Sequence, residues 1–181
     1  MAAVMAGSYE IRTERLLLRP FTLGDVDDVF DYATSPEWGR YIAAPQPYTR
    51  GDAEEFVARS VLTTWDTQAI FAVVLEQKVI GGIDLRVEPK HEHAEIGYSI
   101  GSYYWGKGLA SEGVRAVINW GFSHYGLKEI HAGIDARNER SWRMAENLGM
   151  VREGALRSYL VVHGERIDVL AYGILRQEWR G

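Results

Sequence analysis

A short glycine-rich turn is the part of this sequence whose residue types best suit a charged ligand. The turn runs from Tyr104 to Ser111, after a predicted strand and at the start of a predicted helix. Gly106 and Gly108 place no side chain where a ligand would approach the backbone. Free N–H groups at a helix start attract anions, and a pyrophosphate would fit such a site. A tight strand-to-helix turn without a ligand is the alternative, and the two glycines alone favour it.

Several other kinds of chemistry are excluded by residue type and spacing. The turn lacks the Gly-Lys-Ser/Thr ending of a P-loop and the third glycine of a dinucleotide fingerprint. The chain has no cysteine, which excludes a cysteine nucleophile and zinc–thiolate sites and agrees with a cytoplasmic location.

Two histidines precede the strand that leads to the turn. His91 and His93 flank Glu92, and either imidazole could relay a proton near neutral pH. A polar surface turn explains the three residues equally well, and we favour that interpretation. No further ligand follows at a suitable spacing, so no metal site is expected.

The elements around these residues predict one α/β domain over residues 1–181, with 1–8 as a loose tail. Thr22 and Thr49 each stand three residues before an aspartate, which is typical of a helix start. Gly126 and Gly149 stand where helices end. Strands are predicted at 16–19, 69–75, 79–87, 94–100 and 130–135 and on both sides of a turn at His163, and further helices at 110–125 and 141–148.

Composition sets the class of protein. Apolar residues make up 46% and charged residues 25% of the chain, as in a soluble globular protein. No apolar run approaches the roughly 20 residues that span a bilayer. The net charge of −5 disfavours nonspecific nucleic-acid binding. We therefore expect neither a membrane nor a nucleic acid as partner.

The glycine-rich turn also resembles the coenzyme A motif of the GNAT superfamily of N-acetyltransferases, Gln/Arg-x-x-Gly-x-Gly/Ala. Trp105 takes the Gln/Arg position, and Gly108 and Ala110 take the small positions. The tryptophan departs from the general motif but resembles the Rim-type branch, the ribosomal-protein N-terminal acetyltransferases. Further similarities follow in order at 13–19, 95–100, 138–141, 147–150 and 153–157 and at Gly164 and Asp168, so that the resemblance spans about residues 10 to 179.

This resemblance implies an α/β (α+β) GNAT fold: a mixed, twisted sheet of about six to seven strands with helices on both faces. The sheet would splay open between the parallel strands at 94–100 and 130–135. Acetyl-coenzyme A would be the cosubstrate, without a metal. Its pantetheine would contact the backbone at Tyr98, Ser99 and Ile100. Its pyrophosphate would bind the amides of Trp105, Gly106, Lys107, Gly108, Leu109, Ala110 and Ser111. The side-chain amide of Asn138 would also contact the cosubstrate.

Two catalytic roles follow from the same resemblance. Glu95 would take the proton of the amine through water; a strand glutamate paired with a lysine or arginine is the alternative. Many members place a thiolate donor where this chain has Ala145, so Ser141 is the candidate donor, with an ordinary helix cap as its alternative. Asn138 has the same alternative role. Some N-terminal acetyltransferases also carry a glutamate base where this chain has Leu160.

Aromatic residues crowd the segment between the first two helices. Trp38, Tyr41 and Tyr48 stand where the family forms part of its acceptor cleft. They could line a pocket for a peptide or a small amine, or simply pack over the sheet. Trp120 and Trp142, on helices, are interpreted as packing residues.

The predicted reaction is direct transfer of an acetyl group to a primary amine within a ternary complex. A peptide or protein N-terminus is the favoured acceptor, because an α-amine has a pKa of about 7.7–8.0 against about 10.4 for lysine. A small-molecule amine (polyamine, amino acid or antibiotic) and a non-catalytic coenzyme A sensor are the alternatives. A homodimer is left open.

Overall fold

A computed structural model describes residues 9–181; the predicted tail at 1–8 lies outside the described residues. Eight strands and four α-helices follow one another along the chain. The strands are β1 Ile11–Arg12, β2 Leu17–Pro20, β3 Gln68–Leu75, β4 Lys78–Glu88, β5 His93–Ile100, β6 Glu129–Asp135, β7 Val151–Val162 and β8 Glu165–Leu175. The helices are α1 Val26–Ala33, α2 Arg50–Leu62, α3 Leu109–His124 and α4 Glu139–Asn147.

The eight strands form one mixed sheet in the order β1-β2-β3-β4-β5-β6-β8-β7. Every neighbouring pair is antiparallel except β5 and β6, which run parallel. The α/β fold with a mixed sheet is therefore confirmed. The strand beyond the predicted six to seven is β1, whose two residues are too few to give a periodic signal.

The two parallel strands separate soon after they meet. They pair at three positions, where His93, Ala94 and Glu95 of β5 face residues 129–131 of β6. β5 continues to Ile100 and β6 to Asp135 without further pairing between them. The predicted splay is thus present, and it leaves one backbone edge of β5 free from Ile96 onwards.

A hydrophobic core lies on each face of the sheet. On one face α3 packs tightly: a Cβ on its Gly113 would lie 2.8 Å from the side chain of Ile83 in β4. On the other face α1 and α2 pack over β3, with Val29 and Val57 buried. β5 has residues on both faces, because side chains alternate along a strand.

Local signals explain where the helices begin and end. Thr49 caps α2: its hydroxyl accepts the Asp52 N–H, and the Asp52 carboxylate accepts the Thr49 N–H. Gly126 and Gly149 follow α3 and α4 with φ of +67° and +90°, a conformation that costs little only for glycine. Within residues 9–181, no helix has the length and apolar character needed to cross a membrane.

β7 is one of the two edge strands of the sheet, and its pairing with β8 is irregular. The register shifts twice, between Arg152 and Gly154 and between Leu156 and Leu160. At the second bulge Ser158 has φ +53° and donates its N–H to Asp168 at 2.7 Å. Five large apolar side chains of this strand are exposed: Val151, Leu156, Tyr159, Leu160 and Val161.

Candidate functional site

The glycine-rich turn presents a row of backbone amides that no protein atom uses. Gly106 and Gly108 have φ of +76° and +75°, and α3 begins at Leu109. In the described chain, the N–H groups from Gly106 to Ser111 have no protein acceptor; the first helical bond is that of Glu112 to Gly108. Alternating positive φ values turn successive amides toward a common point, a concavity that binds anions. The turn is therefore built as an anion site.

Three cationic side chains surround this turn. Arg15, from the loop before β2, donates to the Lys107 carbonyl at 2.8 Å and to the Glu112 carboxylate. The Arg140 guanidinium lies 4.5 Å from the centre of the Trp105 ring. The Lys107 ammonium is exposed. Burial alone would raise the pKa of Glu112, but hydrogen bonds from Thr13 and Arg15 hold it below its ordinary value, so that Arg15 stays anchored.

Trp105 is hydrogen-bonded to the end of β5 and to the segment that leads from it into the turn. Its indole N–H donates to the Ile100 carbonyl at 2.7 Å, and its backbone N–H donates to Ser102. Two of the backbone groups predicted to hold the cosubstrate, the Ile100 carbonyl and the Trp105 amide, are therefore already paired. Tyr98 and Ser99 lie on the splayed part of β5, where the edge toward β6 is free.

The structure brings Tyr98 and Ser141 together across the splay. The Tyr98 hydroxyl lies 2.9 Å from Ser141 Oγ, and both side chains are partly buried. Burial raises the pKa of the Tyr98 phenol, although the hydrogen bond to Ser141 acts in the opposite direction. The phenol thus stays protonated near neutral pH. Ser141 is not a helix cap, because its hydroxyl contacts β5 rather than its own helix end.

Asn138 is the cap of α4. Its side-chain oxygen accepts the N–H of Ser141 at 3.3 Å, which is the alternative role considered for it. The cap fixes the first turn of α4 and hence the position of Ser141 over β5.

Glu95 lies on the opposite face of β5 from Tyr98. Its carboxylate pairs with Arg86 at 3.2 Å, and the same guanidinium lies 3.1 Å from Asp84. The pairing with an arginine, considered as an alternative from the sequence, is therefore what the structure has. Glu95 is 41% exposed, so that solvent or a ligand can still reach it.

Asp84, beside the Glu95–Arg86 pair, has a buried carboxylate oxygen. It faces Gly97 in β5, and a Cβ on Gly97 would lie 2.5 Å from an Asp84 oxygen. Burial raises the pKa of Asp84, while Arg86 acts to lower it. Within residues 9–181, Asp84 Oδ2 and Trp38 Nε1 are the buried side-chain atoms without a hydrogen-bond partner; the Arg86 contact is close but poorly directed.

The histidines stand at the edge of this face. The rings of His93 and His131 lie 5.1 Å apart, and His91 is exposed in a short 3₁₀ turn. No group of three or more histidine, aspartate or glutamate side chains in the described chain is arranged to hold a metal ion.

The aromatic residues after α1 divide between packing and the surface. Trp38 contacts Tyr32 and Tyr48 edge to face, and both Trp38 and Tyr48 pack against the core under α1 and α2. Tyr41 lies near Arg137, 6.0 Å from ring centre to guanidinium carbon. Trp120 and Trp142 pack against the other core, as predicted.

Three features of the site were missed from the sequence: the Tyr98 hydroxyl, the Arg86–Asp84 pair and Arg15. Tyr98 and Arg15 contact distant parts of the chain, whereas Arg86 and Asp84 lie two residues apart on β4. Strand alternation alone would have set Glu95 and Tyr98 on opposite faces, and a register for the β4–β5 hairpin would have set Arg86 opposite Glu95. No sequence signal joins Tyr98 to Ser141 or Arg15 to the turn.

The parts of the site fit a long, anionic ligand with an extended chain. The free amides and cations suit a pyrophosphate, and the free edge of β5 can bond an extended chain that lies beside it. A hydroxyl pair lies on one face of that strand, and a carboxylate on the other.

Comparison with known proteins agrees with this arrangement. Residues 15–151 match the family described as Acetyltransferase (GNAT) domain. An uncharacterized N-acetyltransferase, p20 of Bacillus licheniformis, is 33% identical over 175 residues, 93% of this chain and 97% of its own length. The crystal structure of a GNAT-family acetyltransferase from Bacillus anthracis superimposes with a TM-score of 0.84 at 30% identity, covering 93% of this chain and 99% of that one. A ribosomal protein uS5-alanine N-acetyltransferase of Escherichia coli is 31% identical over 84 residues, 46% of this chain and 43% of its own length.

Proposed function

This chain belongs to the GNAT family of N-acetyltransferases, and from that premise we propose that it acetylates the N-terminal α-amine of a peptide or protein. The observation that carries the proposal is the row of free amides from Gly106 to Ser111, which directly follows a strand with a free edge. GNAT acetyltransferases use acetyl-coenzyme A, which supplies the acetyl group as an activated thioester.

The chain's own residues divide the binding of acetyl-coenzyme A between two elements. The amides from Gly106 to Ser111 would hold the pyrophosphate, with Lys107 and Arg140 adding positive charge. The backbone of Tyr98 and Ser99 would pair with the pantetheine along the free edge of β5. The N-terminal end of α3 adds its dipole to the same site.

The two faces of β5 would serve the two ends of the reaction. Ser141 lies on the α3–α4 face and would donate a hydrogen bond to the departing sulfur. Glu95 lies on the other face, where it would take the amine proton through a water molecule. Arg86, 3.2 Å from the Glu95 carboxylate, would hold it in position on that face.

The preference for an α-amine follows from how easily each kind of amine loses its proton. An α-amine is partly neutral at pH 7, whereas a lysine side chain needs about 3.4 kcal/mol more to lose its proton. The E. coli relative that acetylates a ribosomal protein alanine agrees with this choice and with the Rim-type branch. We propose that Tyr41, near Arg137, lies along the path of the acceptor.

Matched peptides test the proposal. One carries a free N-terminal alanine and an internal lysine, a second has the N-terminus blocked, and a third has the lysine replaced by glutamine. We expect thiol release from acetyl-coenzyme A, and a mass gain on the α-amine, with the first and third peptides. Modification confined to lysine, or turnover of polyamines alone, would contradict the α-amine assignment. No turnover with any amine would favour the coenzyme A sensor.

A further inference from the structure

Either hydroxyl can be the donor in the contact between Tyr98 and Ser141. A serine hydroxyl has a single hydrogen, and in a Ser–Tyr pair that hydrogen can point either to the tyrosine or away from it. The Tyr98 hydroxyl lies 2.9 Å from Ser141 Oγ and 3.5 Å from the Ser141 carbonyl oxygen. Oγ is therefore the nearer acceptor for the phenol hydrogen. When the phenol donates to Oγ, the Ser141 hydrogen is free for another acceptor.

Both residues border the splay. Tyr98 is on the segment of β5 that no longer pairs with β6, and its side chain is on the α3–α4 face. Ser141 is in the first turn of α4, held there by the Asn138 cap. A ligand bound along the free edge of β5 would pass next to this pair.

We propose that Tyr98 is a positioning residue that orients the Ser141 hydroxyl toward the departing thiolate; this rests on the proposed acetyl transfer. Tyr98 donates to Ser141 Oγ, and Ser141 in turn donates its hydrogen to the sulfur. A thiolate selects this direction of the pair because an anion attracts donors. Two hydrogen bonds in series polarise each other, so that the second is stronger than a lone serine would make.

Tyr98 acts through a hydrogen bond and keeps its proton. Thiols have pKa values near 8.5, so a thiolate is too weak a base to deprotonate a phenol whose pKa is raised above its ordinary value. Water can protonate the thiolate after release.

A purely structural role would be to tie α4 to the sheet. A second contact of that kind already exists: Tyr172 of β8, which is 1% exposed, donates its hydroxyl to Glu146 of α4 at 2.9 Å. Tyr172 therefore provides a matched control, since it is a tyrosine bonded to the same helix without touching Ser141.

The first test uses coenzyme A itself, with no acceptor. The acidity of its bound thiol is followed by the ultraviolet absorbance of the thiolate, as a pH-dependent difference against free enzyme. We expect the bound thiol to be roughly twofold to fourfold less acidic in Tyr98→Phe than in the parent, because Ser141 keeps its hydrogen bond to the sulfur and loses only the strengthening that Tyr98 gives it. Tyr172→Phe should match the parent. Equal thiol acidity in Tyr98→Phe and the parent would overturn the proposal.

A tyrosine analogue with a more acidic phenol should shift the acidity of the bound thiol in the opposite direction from phenylalanine. Site-specific 3-fluorotyrosine at position 98 keeps the shape and strengthens the donor, so the bound thiol should become more acidic than in the parent. A structural role predicts no such gain. If fluorotyrosine and phenylalanine shift the thiol in the same direction, the positioning role is wrong.

Kinetics complete the test. Tyr98→Phe should lower kcat roughly twofold to fourfold with little change in KM for acetyl-coenzyme A. In a Ser141→Ala background the same change should add no further loss, because the two residues act as one unit. Additive losses would contradict the proposal. If the parent acetylates no amine while the thiol still responds to position 98, this inference stands and the assigned activity fails.

Discussion

The pairing of Glu95 with Arg86 determines the orientation in which this carboxylate meets an acceptor. The guanidinium lies 3.2 Å from the carboxylate and restricts its rotation. Because its exposed fraction is 41%, a water molecule can still bridge it to an amine. A carboxylate that acts through water suits an amine that is already partly neutral.

Replacement of Glu95 by glutamine should therefore have a pH-dependent effect. Glu95→Gln keeps the shape and removes the base, and turnover at neutral pH should fall by roughly 10²-fold, the lower end of general base catalysis. The deficit should shrink as the pH rises and free amine becomes abundant. Initial rates across the pH range would measure it.

Ser141→Ala is the control for Glu95→Gln. It affects the leaving group, so its deficit should stay the same across the pH range. A Glu95→Gln deficit that is equally constant would mean that Glu95 only holds Arg86.

Asp84 affects the stability of the fold, whereas Glu95 is proposed to act in the reaction. Burial raises its pKa in the folded protein above the ordinary 3.8, so the folded state binds a proton more readily than the unfolded state. Stability attributable to this group is therefore lowest at neutral pH and rises as the pH falls through the raised pKa.

Asp84→Asn should raise the free energy of unfolding at pH 7, and the gain should diminish toward pH 4. Urea denaturation of both proteins at several pH values would show this. A difference between them that does not change with pH would mean that the Asp84 carboxylate is not destabilised by burial.

Among the elements, the turn between β5 and α3 combines a local backbone feature with a binding role. Gly106 has positive φ and no neighbour within 4 Å of where a Cβ would lie. Gly126, at the other end of α3, has the same two properties. The backbone strain of a substitution should thus be equal at both ends of the helix.

Gly106→Ala and Gly126→Ala form a matched pair. Each should cost about 1 kcal/mol of stability, because an alanine resists positive φ. Only Gly106→Ala should also weaken acetyl-coenzyme A binding, because relief of its strain would turn amides away from the anion site. Denaturant titration and calorimetry would separate the two effects. Equal affinities in the two variants would place the pyrophosphate elsewhere.

These elements also show how far the sequence determined the outcome. The Thr49 cap, the terminal glycines of α3 and α4 and the turn before α3 are local signals, and the structure has them where they were expected. The splay was available only through the family resemblance. The contact between Tyr98 and Ser141 joins residues that are 43 positions apart in the chain. It depends on how β5 and α4 pack, which no local pattern encodes.

At the scale of the whole molecule, the charge at the glycine-rich turn is opposite in sign to the net charge of the chain. The chain has a net charge of −5, yet Arg15, Lys107 and Arg140 gather at the turn. A polyanion is thus repelled by most of the surface and attracted at one place. Such an arrangement depends on ionic strength, since the screening length falls from about 30 Å at 0.01 M to about 3 Å at 1 M.

Acetyl-coenzyme A should raise the melting temperature of the protein, by an amount that grows with the logarithm of its concentration above Kd. The shift should be smaller at high salt. Arg140→Ala should weaken binding and flatten its salt dependence. Arg143→Ala is the control, because Arg143 lies on the same helix and pairs with Glu139. Equal salt dependence in the two variants would exclude Arg140 from the anion site. Thermal shifts at several salt concentrations would measure all three proteins.

The irregular edge of the sheet bears on how the molecule behaves in a crowded solution. A flat outer strand with exposed apolar side chains is a template on which other chains stack into fibrils. β7 has the apolar side chains but not the flatness, because two bulges break its hydrogen-bonding repeat and the Ser158 N–H is taken by Asp168. An incoming strand would lose its register after a few residues. We therefore expect the two bulges to oppose the stacking of other chains along this apolar edge.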